Sequence, residues 1–303
     1  MNTVISYCIF EPIVMHSHRI WDENRMDSRR YWYNIPSLLI MNSILYPNIS
    51  VRIYTTDSTQ YHPLFEIFRV ANCDVRIIER QYKTTSEPML WRMMPCWDSD
   101  VGCFFTRDVD SLPNRNEVLC TKFFEESDNY HIQTMRSNIN HYHEQGCDML
   151  GGLSGFKPKH IPNLPKTFDD YYNNKSDLPW AQDQYLMTNT FINIQDKTYL
   201  EKHFLDCPID DQKKHASFPC TEIKNNQYNS IVLTSQQNMV LSIIEENDVT
   251  KWAGEPSDAR GKITKKLLNV DNEVAKKMKE LFNNNSNMRN FYYNENISKP
   301  FVS

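Results

Sequence analysis

The stretch VGCFFTRDVDSLP, residues 101–113, decides the fold expected for this chain. Its first half is a run of bulky apolar residues, which is typical of a strand buried on both faces of a sheet. The run ends at Arg107, and two carboxylates, Asp108 and Asp110, follow at i and i+2. In sheets of parallel strands, ligands bind beyond the carboxyl ends of the strands. The stretch therefore predicts a buried strand that delivers two carboxylates to the ligand-binding edge of a sheet.

The residues before this stretch alternate between predicted strands and predicted helices. β-Branched and aromatic residues favour the strands, and helical spacing with Pro near a first turn favours the helices. The predicted strands are 3–10, 50–56, 74–80 and 101–106, and the predicted helices are 31–45, 62–73 and 87–97. This alternation indicates an α/β fold, with a mostly parallel central sheet and helices on both of its faces.

The second half of the chain carries weaker signals. Its predicted elements are a helix at 117–128, a glycine-rich loop at 146–158, a helix at 179–190, a strand at 229–234 and a helix at 271–283. From residue 222 the chain is rich in Asn and Lys, and its last residues predict an irregular tail. We expect a core domain over 1–265, followed by a C-terminal helix and tail over 266–303.

Composition excludes several classes of protein. Among the 303 residues, 40% are hydrophobic and 23% charged, which is a globular composition, and the net charge of -5 is not that of a basic nucleic-acid binder. The 8 Cys form no CxxC pair, so they predict reduced thiols rather than a zinc site. The N-terminus lacks the pattern of a signal peptide, and no apolar run is long enough to span a membrane. We expect a cytoplasmic protein without a transmembrane segment.

The carboxylate pair is a candidate metal site. Once the chain leaves the strand and turns, Asp108 and Asp110 can converge on one cation. Mg²⁺ and Mn²⁺ prefer oxygen ligands and commonly combine protein carboxylates with substrate phosphates. Arg107 lies beside the pair as a candidate partner for a phosphate or a carboxylate. The alternative is a capped turn, in which Asp110 and Ser111 bond local backbone amides.

Together with its downstream motifs, this element resembles a family of GT-A-fold glycosyltransferases that use nucleotide-sugar donors and occur in bacteria, phages and large DNA viruses. The resemblance rests on RDVDS at 107–111, His131, Arg136, His141, MLGGLSGF at 149–156 (which includes Gly151, Gly152 and Gly155) and Asp183-Gln184. It covers 87–190 well and the N-terminal strands by pattern only. Ser137 stands where the family commonly has Asp, so either that charge is not essential or the substrate differs.

The resemblance implies a GT-A-like core and a metal-dependent glycosyltransferase. Such an enzyme moves a sugar from a nucleoside-diphosphate sugar to a hydroxyl acceptor, which here could be a glycan, a glycoprotein or a modified base. Asp108 and Asp110 would hold Mn²⁺ or Mg²⁺, with a third ligand from a late histidine, His203 in preference to His215. The encoding genome could be that of a virus or phage, with the protein in the host cytoplasm.

The resemblance also implies a set of substrate contacts. The implied catalytic residues are Asp183, as the base or a sugar ligand, and Gln184. The implied donor-binding residues are Tyr7, Arg92, Arg107, Asp108, Val109, Asp110, Gly151 and Gly152. A weaker pyrophosphate candidate comprises residues 252–254 (Trp-Ala-Gly) and Lys262, for which a surface turn is the alternative.

Each candidate also has an ordinary structural role to weigh against the functional one. Arg92 could be an exposed helix charge, the glycine pair a tight turn and Asp183 a helix cap. Two rival functions remain open. One is a nucleotidyltransferase or other phosphoryl-transfer enzyme, which would normally need a third strand-borne carboxylate and a phosphate loop that the sequence does not display. The other is an inactive nucleotide-sugar-binding module.

Overall fold

The computed structural model describes residues 1–10, 29–79, 87–136, 149–161, 163–164, 166, 170, 183–184, 186–187, 197–208, 221–222, 230–247 and 262–293. An 8-stranded sheet runs through them in the order β3-β2-β1-β4-β6-β5-β7-β8. The strands are β1 (Asn2–Ile9), β2 (Ser50–Thr55), β3 (Asp74–Ile77), β4 (Val101–Arg107), β5 (Ile132–Arg136), β6 (Leu153–Phe156), β7 (Phe204–Pro208) and β8 (Thr221–Glu222).

The helices connect the strands and follow the sheet. The α-helices are α1 (Arg29–Tyr33), α2 (Ile35–Leu45), α3 (Glu66–Val70), α4 (Arg115–Glu126), α5 (Lys197–His203), α6 (Ser235–Glu245), α7 (Lys262–Leu267), α8 (Glu273–Asn284) and α9 (Ser286–Tyr293). Within the part of the chain that the structure describes, 3₁₀ helices lie at Asp57–Tyr61, Pro88–Trp97 and Pro158–His160.

The sheet is mostly parallel. Strand β6 pairs antiparallel with both β4 and β5, and the other recorded pairings are parallel. Strand β4 lies between β1 and β6, near the centre of the sheet. The carboxyl ends of β1, β2 and β4 therefore meet at one edge, which is where ligands bind in sheets of this kind.

Apolar side chains fill both faces of the sheet. Successive residues of a strand point to opposite faces, so Phe105 packs with Tyr7 in a larger apolar cluster and Phe104 packs with Val4 in a smaller one. Helices α2, α6, α7, α8 and α9 contribute to the larger cluster, and the 3₁₀ helix Pro88–Trp97 and α5 contribute to the smaller. The predicted α/β class, with helices on both faces and a C-terminal helical region, is confirmed.

The first four strands and the helices between them are confirmed in position, with changes in length and type. The helix expected over 62–73 is α-helical only at Glu66–Val70, and the one expected over 87–97 is a 3₁₀ helix. Pro95 lies inside the latter, where it removes a backbone donor and clashes with the preceding turn of an α-helix.

The strand predicted over 229–234 is wrong. Residues 231–234 have no regular secondary structure and lead into α6. Thr234 caps that helix: its side chain accepts from the backbone N–H of Gln237, whose side chain in turn accepts from the Thr234 N–H. This capping box is a local signal for a helix start. The irregular tail is also corrected in part, because α9 occupies Ser286–Tyr293. The division of the chain after residue 265 remains a prediction.

Within the described residues, no helix is long and apolar enough to cross a membrane. The cysteines in the same part of the chain are free thiols, as expected.

Candidate active site

Asp108 follows β4 directly and lies at the ligand edge of the sheet. Its side chain is 39% exposed. Because side chains alternate along a strand, Asp108 continues the face of Phe104 and Thr106, whereas Arg107 continues that of Phe105. Asp108 thus lies on the face that the 3₁₀ helix Pro88–Trp97 covers.

Arg92, on that 3₁₀ helix, joins two carboxylates that are far apart in the sequence. Its Nη1 donates to Asp108 Oδ1, and its Nη2 donates to Asp183 Oδ2 at 2.5 Å. The Nε–H donates to the Met89 carbonyl at 3.1 Å, which orients the guanidinium. The side chains of Arg92 and Asp183 are 3% and 0% exposed. Arg92 is therefore a buried cation between two carboxylates and not an exposed helix charge.

Burial and charge shift the pKa values of this cluster. Burial raises the pKa of Asp183, Arg92 opposes that rise, and the negative charge of Asp108 adds to it. Burial alone would lower the pKa of Arg92, but Asp108 and Asp183 hold it above its usual range. The cluster thus contains a fixed positive charge and a carboxylate that binds a proton more readily than a free one.

Gly151 and Gly152 lie against the carboxylates, just before β6. A Cβ on Gly151 would collide with the Asp183 carboxylate, and a Cβ on Gly152 would collide with that of Asp108. The pair is therefore required for close approach. Gly155 lies within β6 instead, where a Cβ would come within 2.8 Å of the Phe105 ring. It serves the packing of the sheet.

Arg107 does not face the site. Its Nε donates to Glu117 Oε1 at 2.7 Å and its Nη2 to Thr121 Oγ1 at 2.8 Å. Its Nη1 donates to the carbonyls of Thr106 and Ser154 at 2.7 and 3.2 Å. The side chain is only 6% exposed. This placement is at odds with the predicted phosphate contact of Arg107, because its donors are used inside the protein.

Two further donor-binding candidates also point into the protein. The Val109 side chain is buried in the larger apolar cluster. Tyr7 is buried too, and its hydroxyl accepts from Asn42 Nδ2 at 2.8 Å. Tyr7 and Asn42 line a cavity of about 10 Å³.

Asp110, the second carboxylate, is partly exposed on the loop after β4. Its backbone carbonyl accepts from Asn34 Nδ2 at 2.8 Å. Gln184 follows Asp183 in a helical segment and is also partly exposed. Asp110 thus lies on the same loop as Asp108, and Gln184 lies directly beside Asp183.

The structure does not bring His203 to the carboxylates. Phe204 pairs with Ile132, Ile132 with Phe156, and Phe156 with Phe104, so His203 lies at the opposite end of the sheet. Phe104 is four residues before Asp108, which is roughly 13 Å at the usual rise of a strand. His203 therefore cannot share a cation with Asp108 in this arrangement.

His203 belongs instead to a stack of imidazole rings. The His131 ring lies between those of His203 and His160, with centroids 4.3 and 4.7 Å away. Burial lowers the pKa of His131 to about 4, and the neighbouring imidazoles add to the effect. The nearly parallel rings do not aim their nitrogens at one point. Within the described residues, no group of three or more His, Cys, Asp or Glu could hold a metal ion.

Other candidates lie outside the described residues: His141, Ser137, His215 and 252–254. The side chains of Arg136 and Lys262 are also outside them.

Sequence reasoning missed three neighbours of the site: Cys8, Glu117 and Asn34. Cys8 lies at the end of β1, close enough to Arg92, Asp108 and Asp183 to feel their charges, and burial raises its pKa to about 12. The sequence could have indicated a partner such as Glu117. Arg107 lies on the same face of β4 as the buried Phe105, and a buried Arg needs an acidic partner. No local signal indicated Asn34.

The residues present fit a divalent cation of the Mg²⁺ or Mn²⁺ type. Asp108 and Asp110 offer carboxylate oxygens at the ligand edge, and one or two carboxylates are the usual protein contribution when phosphates supply the rest. Gly152 leaves the space beside Asp108 Oδ2 free of any side chain of its own.

Comparisons with known proteins give similarity at the level of structure only. No family model and no curated protein matches the sequence. A crystal structure from Desulfovibrio desulfuricans, designated a nucleotide-diphospho-sugar transferase, is similar over 69% of this chain and 81% of its own, with 14% identity and a TM-score of 0.40. Staphylococcus aureus TarS 1–349 in complex with UDP is similar over 93% of this chain and 70% of its own, with 14% identity and a TM-score of 0.41.

Proposed function

We propose that this protein is a metal-dependent glycosyltransferase that moves a sugar from a nucleoside-diphosphate sugar to a hydroxyl acceptor. The observation that carries the proposal is the buried bridge through Arg92, which joins the strand-end Asp108 to Asp183, 91 residues away from Arg92 in the sequence. A glycine pair lies against both carboxylates. Fixed positive charge, carboxylates and close backbone approach are what a phosphate-bearing sugar donor requires.

Arg92 is the donor-binding cation in this proposal. Its planar guanidinium presents several N–H groups and binds carboxylates and phosphates equally well. An incoming diphosphate can therefore take over the contact that the partly exposed Asp108 makes with Arg92, while the buried Asp183 keeps its own contact with Arg92. This exchange keeps the buried charge of Arg92 paired, which is needed because an unpaired buried charge is strongly unfavourable.

In this proposal Asp183 accepts a hydroxyl proton or binds a sugar hydroxyl. Arg92 holds its Oδ2, whereas its Oδ1 is buried without a hydrogen-bond partner among the described residues. An unpaired buried acceptor costs about 1–3 kcal/mol, and a ligand hydroxyl that donates to it removes this cost. The raised pKa also makes Asp183 a better proton acceptor.

In the proposed transfer, every bond, proton and electron pair is accounted for. The acceptor oxygen forms the new glycosidic bond, its proton goes to Asp183 Oδ1, and the nucleoside diphosphate leaves with the electron pair of the old bond. A Mn²⁺ or Mg²⁺ held by Asp108 and Asp110 would act as a Lewis acid that offsets charge on the diphosphate.

The test is a screen of UDP-, GDP- and TDP-sugars with Mn²⁺, in which donor hydrolysis and transfer are followed by product analysis. Asp110→Ala should abolish turnover. Asp100→Ala is the matched control, because Asp100 is an exposed carboxylate just before the opposite end of the same strand. Release of pyrophosphate in place of a nucleoside diphosphate would indicate a nucleotidyltransferase. Metal-dependent donor binding without turnover would indicate an inactive binding module.

A further inference from the structure

We infer that Arg107, Glu117 and Asn34 are positioning residues that hold the loop 108–114 in the shape that binds a divalent cation. This inference rests on the proposed function, because it concerns the same two carboxylates. It gives Arg107 a different role from the phosphate contact expected from its sequence position.

The ion pair of Arg107 and Glu117 closes the ends of the loop. Arg107 is the last residue of β4, and Glu117 lies in the first turn of α4, 10 residues later. Both side chains are buried, at 6% and 4% exposure. Asn114 caps the same helix by accepting from the Glu117 N–H at 2.9 Å. The two ends of the loop are thus fixed to each other and to the helix start.

Arg107 also ties this loop to the glycine pair. Its Nη1 donates to the carbonyl of Ser154, two residues after Gly152, on the strand that pairs with β4. The guanidinium therefore holds β4, β6 and α4 together at one point. A movement of Arg107 would shift both Asp108 and the glycine that leaves space beside it.

Asn34 holds the middle of the loop. It occupies the N-cap position of α2, where Asn usually accepts from the helix amides, yet it makes no side-chain cap hydrogen bond. Its Nδ2 donates instead to the Asp110 carbonyl, and the residue is fully buried. Val109 and Leu112, on either side of Asp110, are buried in the larger apolar cluster. The backbone that carries the Asp110 carboxylate is thus fixed by a buried donor and two apolar anchors.

Outer groups of this kind orient metal ligands, and their loss typically weakens metal affinity by about 10- to 100-fold. The experiment measures Mn²⁺ affinity, alone and with UDP, by titration followed with electron paramagnetic resonance. The variants are Asn34→Ala and Glu117→Gln, with thermal unfolding recorded for each. Glu117→Gln leaves Arg107 as an unpaired buried charge. If that variant does not fold, Asn34→Ala, which removes a neutral amide and no charge, decides the result.

Gln237→Ala is the matched control. Gln237 is also a buried side-chain amide, and its Nε2 donates to the carbonyls of Ile44 and Leu45, at the far end of α2 from Asn34. Its loss should lower the unfolding temperature and leave Mn²⁺ affinity unchanged. We expect Asn34→Ala to weaken Mn²⁺ binding about 10- to 100-fold.

Two outcomes would overturn the inference, and they are distinguishable. If Asp110→Ala abolishes Mn²⁺ binding but Asn34→Ala and any folded Glu117→Gln bind Mn²⁺ as the unmodified protein does, the carboxylates hold the metal without positioning by these residues. If the unmodified protein does not bind Mn²⁺, or Asp110→Ala binds it equally well, the proposed metal site itself fails and the positioning role fails with it.

Discussion

Replacement of Arg92 by Met tests the bridge at the centre of the site. Met has a similar length and no charge, so Arg92→Met removes the cation without leaving a large cavity. Asp183 then remains as a buried carboxylate with no ion-pair partner. The loss of one partner from a buried ion pair costs about 3–5 kcal/mol. The loss of the contact between Arg92 and Asp108 contributes less to the destabilisation, because the Asp108 side chain is 39% exposed and screened by water.

The size of this effect should depend on pH in a defined direction. Without Arg92, the largest influence that opposes burial is lost, so the pKa of Asp183 rises further. A carboxyl group whose folded-state pKa is raised binds its proton more tightly in the folded protein. The stability of the variant is therefore fully present below the ordinary carboxyl pKa of about 4 and is lost as pH rises through the raised value. The difference between the variant and the unmodified protein should shrink at low pH.

Urea unfolding followed by tryptophan fluorescence at pH 8 and pH 5 measures both effects. The free energy of unfolding falls by about 1–3 kcal/mol per molar urea, so the loss of about 3–5 kcal/mol at pH 8 lowers the urea midpoint by about 1 M or more. The double variant Arg92→Met/Asp183→Asn should recover most of the loss, because an amide needs no cation. A loss below about 1 kcal/mol at pH 8, or a double variant no more stable than Arg92→Met, would refute the bridge as a buried ion pair.

Two further predictions concern the glycines and the histidines. Gly152→Ala should weaken Mn²⁺ binding, because the new Cβ meets the Asp108 carboxylate. Gly155→Ala should lower the free energy of unfolding by about 1–3 kcal/mol, because its Cβ meets the Phe105 ring, and should leave Mn²⁺ affinity unchanged. Equal effects of the two variants on Mn²⁺ affinity would contradict the assignment. Burial lowers the pKa of both His62 and His131 to about 4, so the folded protein should lose stability as pH falls from about 6.5 towards that value. Thermal unfolding across this range should show a flatter profile for His62→Gln/His131→Gln, and an unchanged slope would count against these shifts.

The sequence predicted the N-terminal half of the fold well. Residues 3–10, 50–56, 74–80 and 101–106 correspond to β1, β2, β3 and β4. Three of them, β1, β2 and β4, are largely buried runs rich in apolar or β-branched residues, which a sequence pattern specifies well. Strand β3 is only partly buried, and its alternating β-branched residues indicated it. The helices between them were predicted less well in length and type, because Pro95 and short connections changed the local hydrogen bonding.

In the second half the helices predicted at 117–128 and 271–283 correspond to α4 and α8. The strands there were predicted poorly, because they depend on partners far away in the chain. Strand β6 is a four-residue segment within the glycine-rich loop, and it pairs antiparallel with β4 and β5. From the sequence alone, a glycine pair that lets the backbone approach another group cannot be told apart from a short strand that pairs with a distant partner. Conversely, 229–234 has the β-branched composition of a strand, but Val232 is 86% exposed and the segment precedes a capped helix.

By itself, the sequence determined that a buried strand ends at two carboxylates and that Asp108 lies at the ligand edge of a parallel sheet. The run of apolar residues fixes the strand, and chain polarity fixes which end carries the carboxylates. Only the tertiary structure decided which way the neighbouring charges point. Arg107 turns inward to Glu117, whereas Arg92 reaches both Asp108 and Asp183. A buried guanidinium must find its carboxylate partners in space, and spacing along the chain does not reveal which elements pack against each face of the sheet.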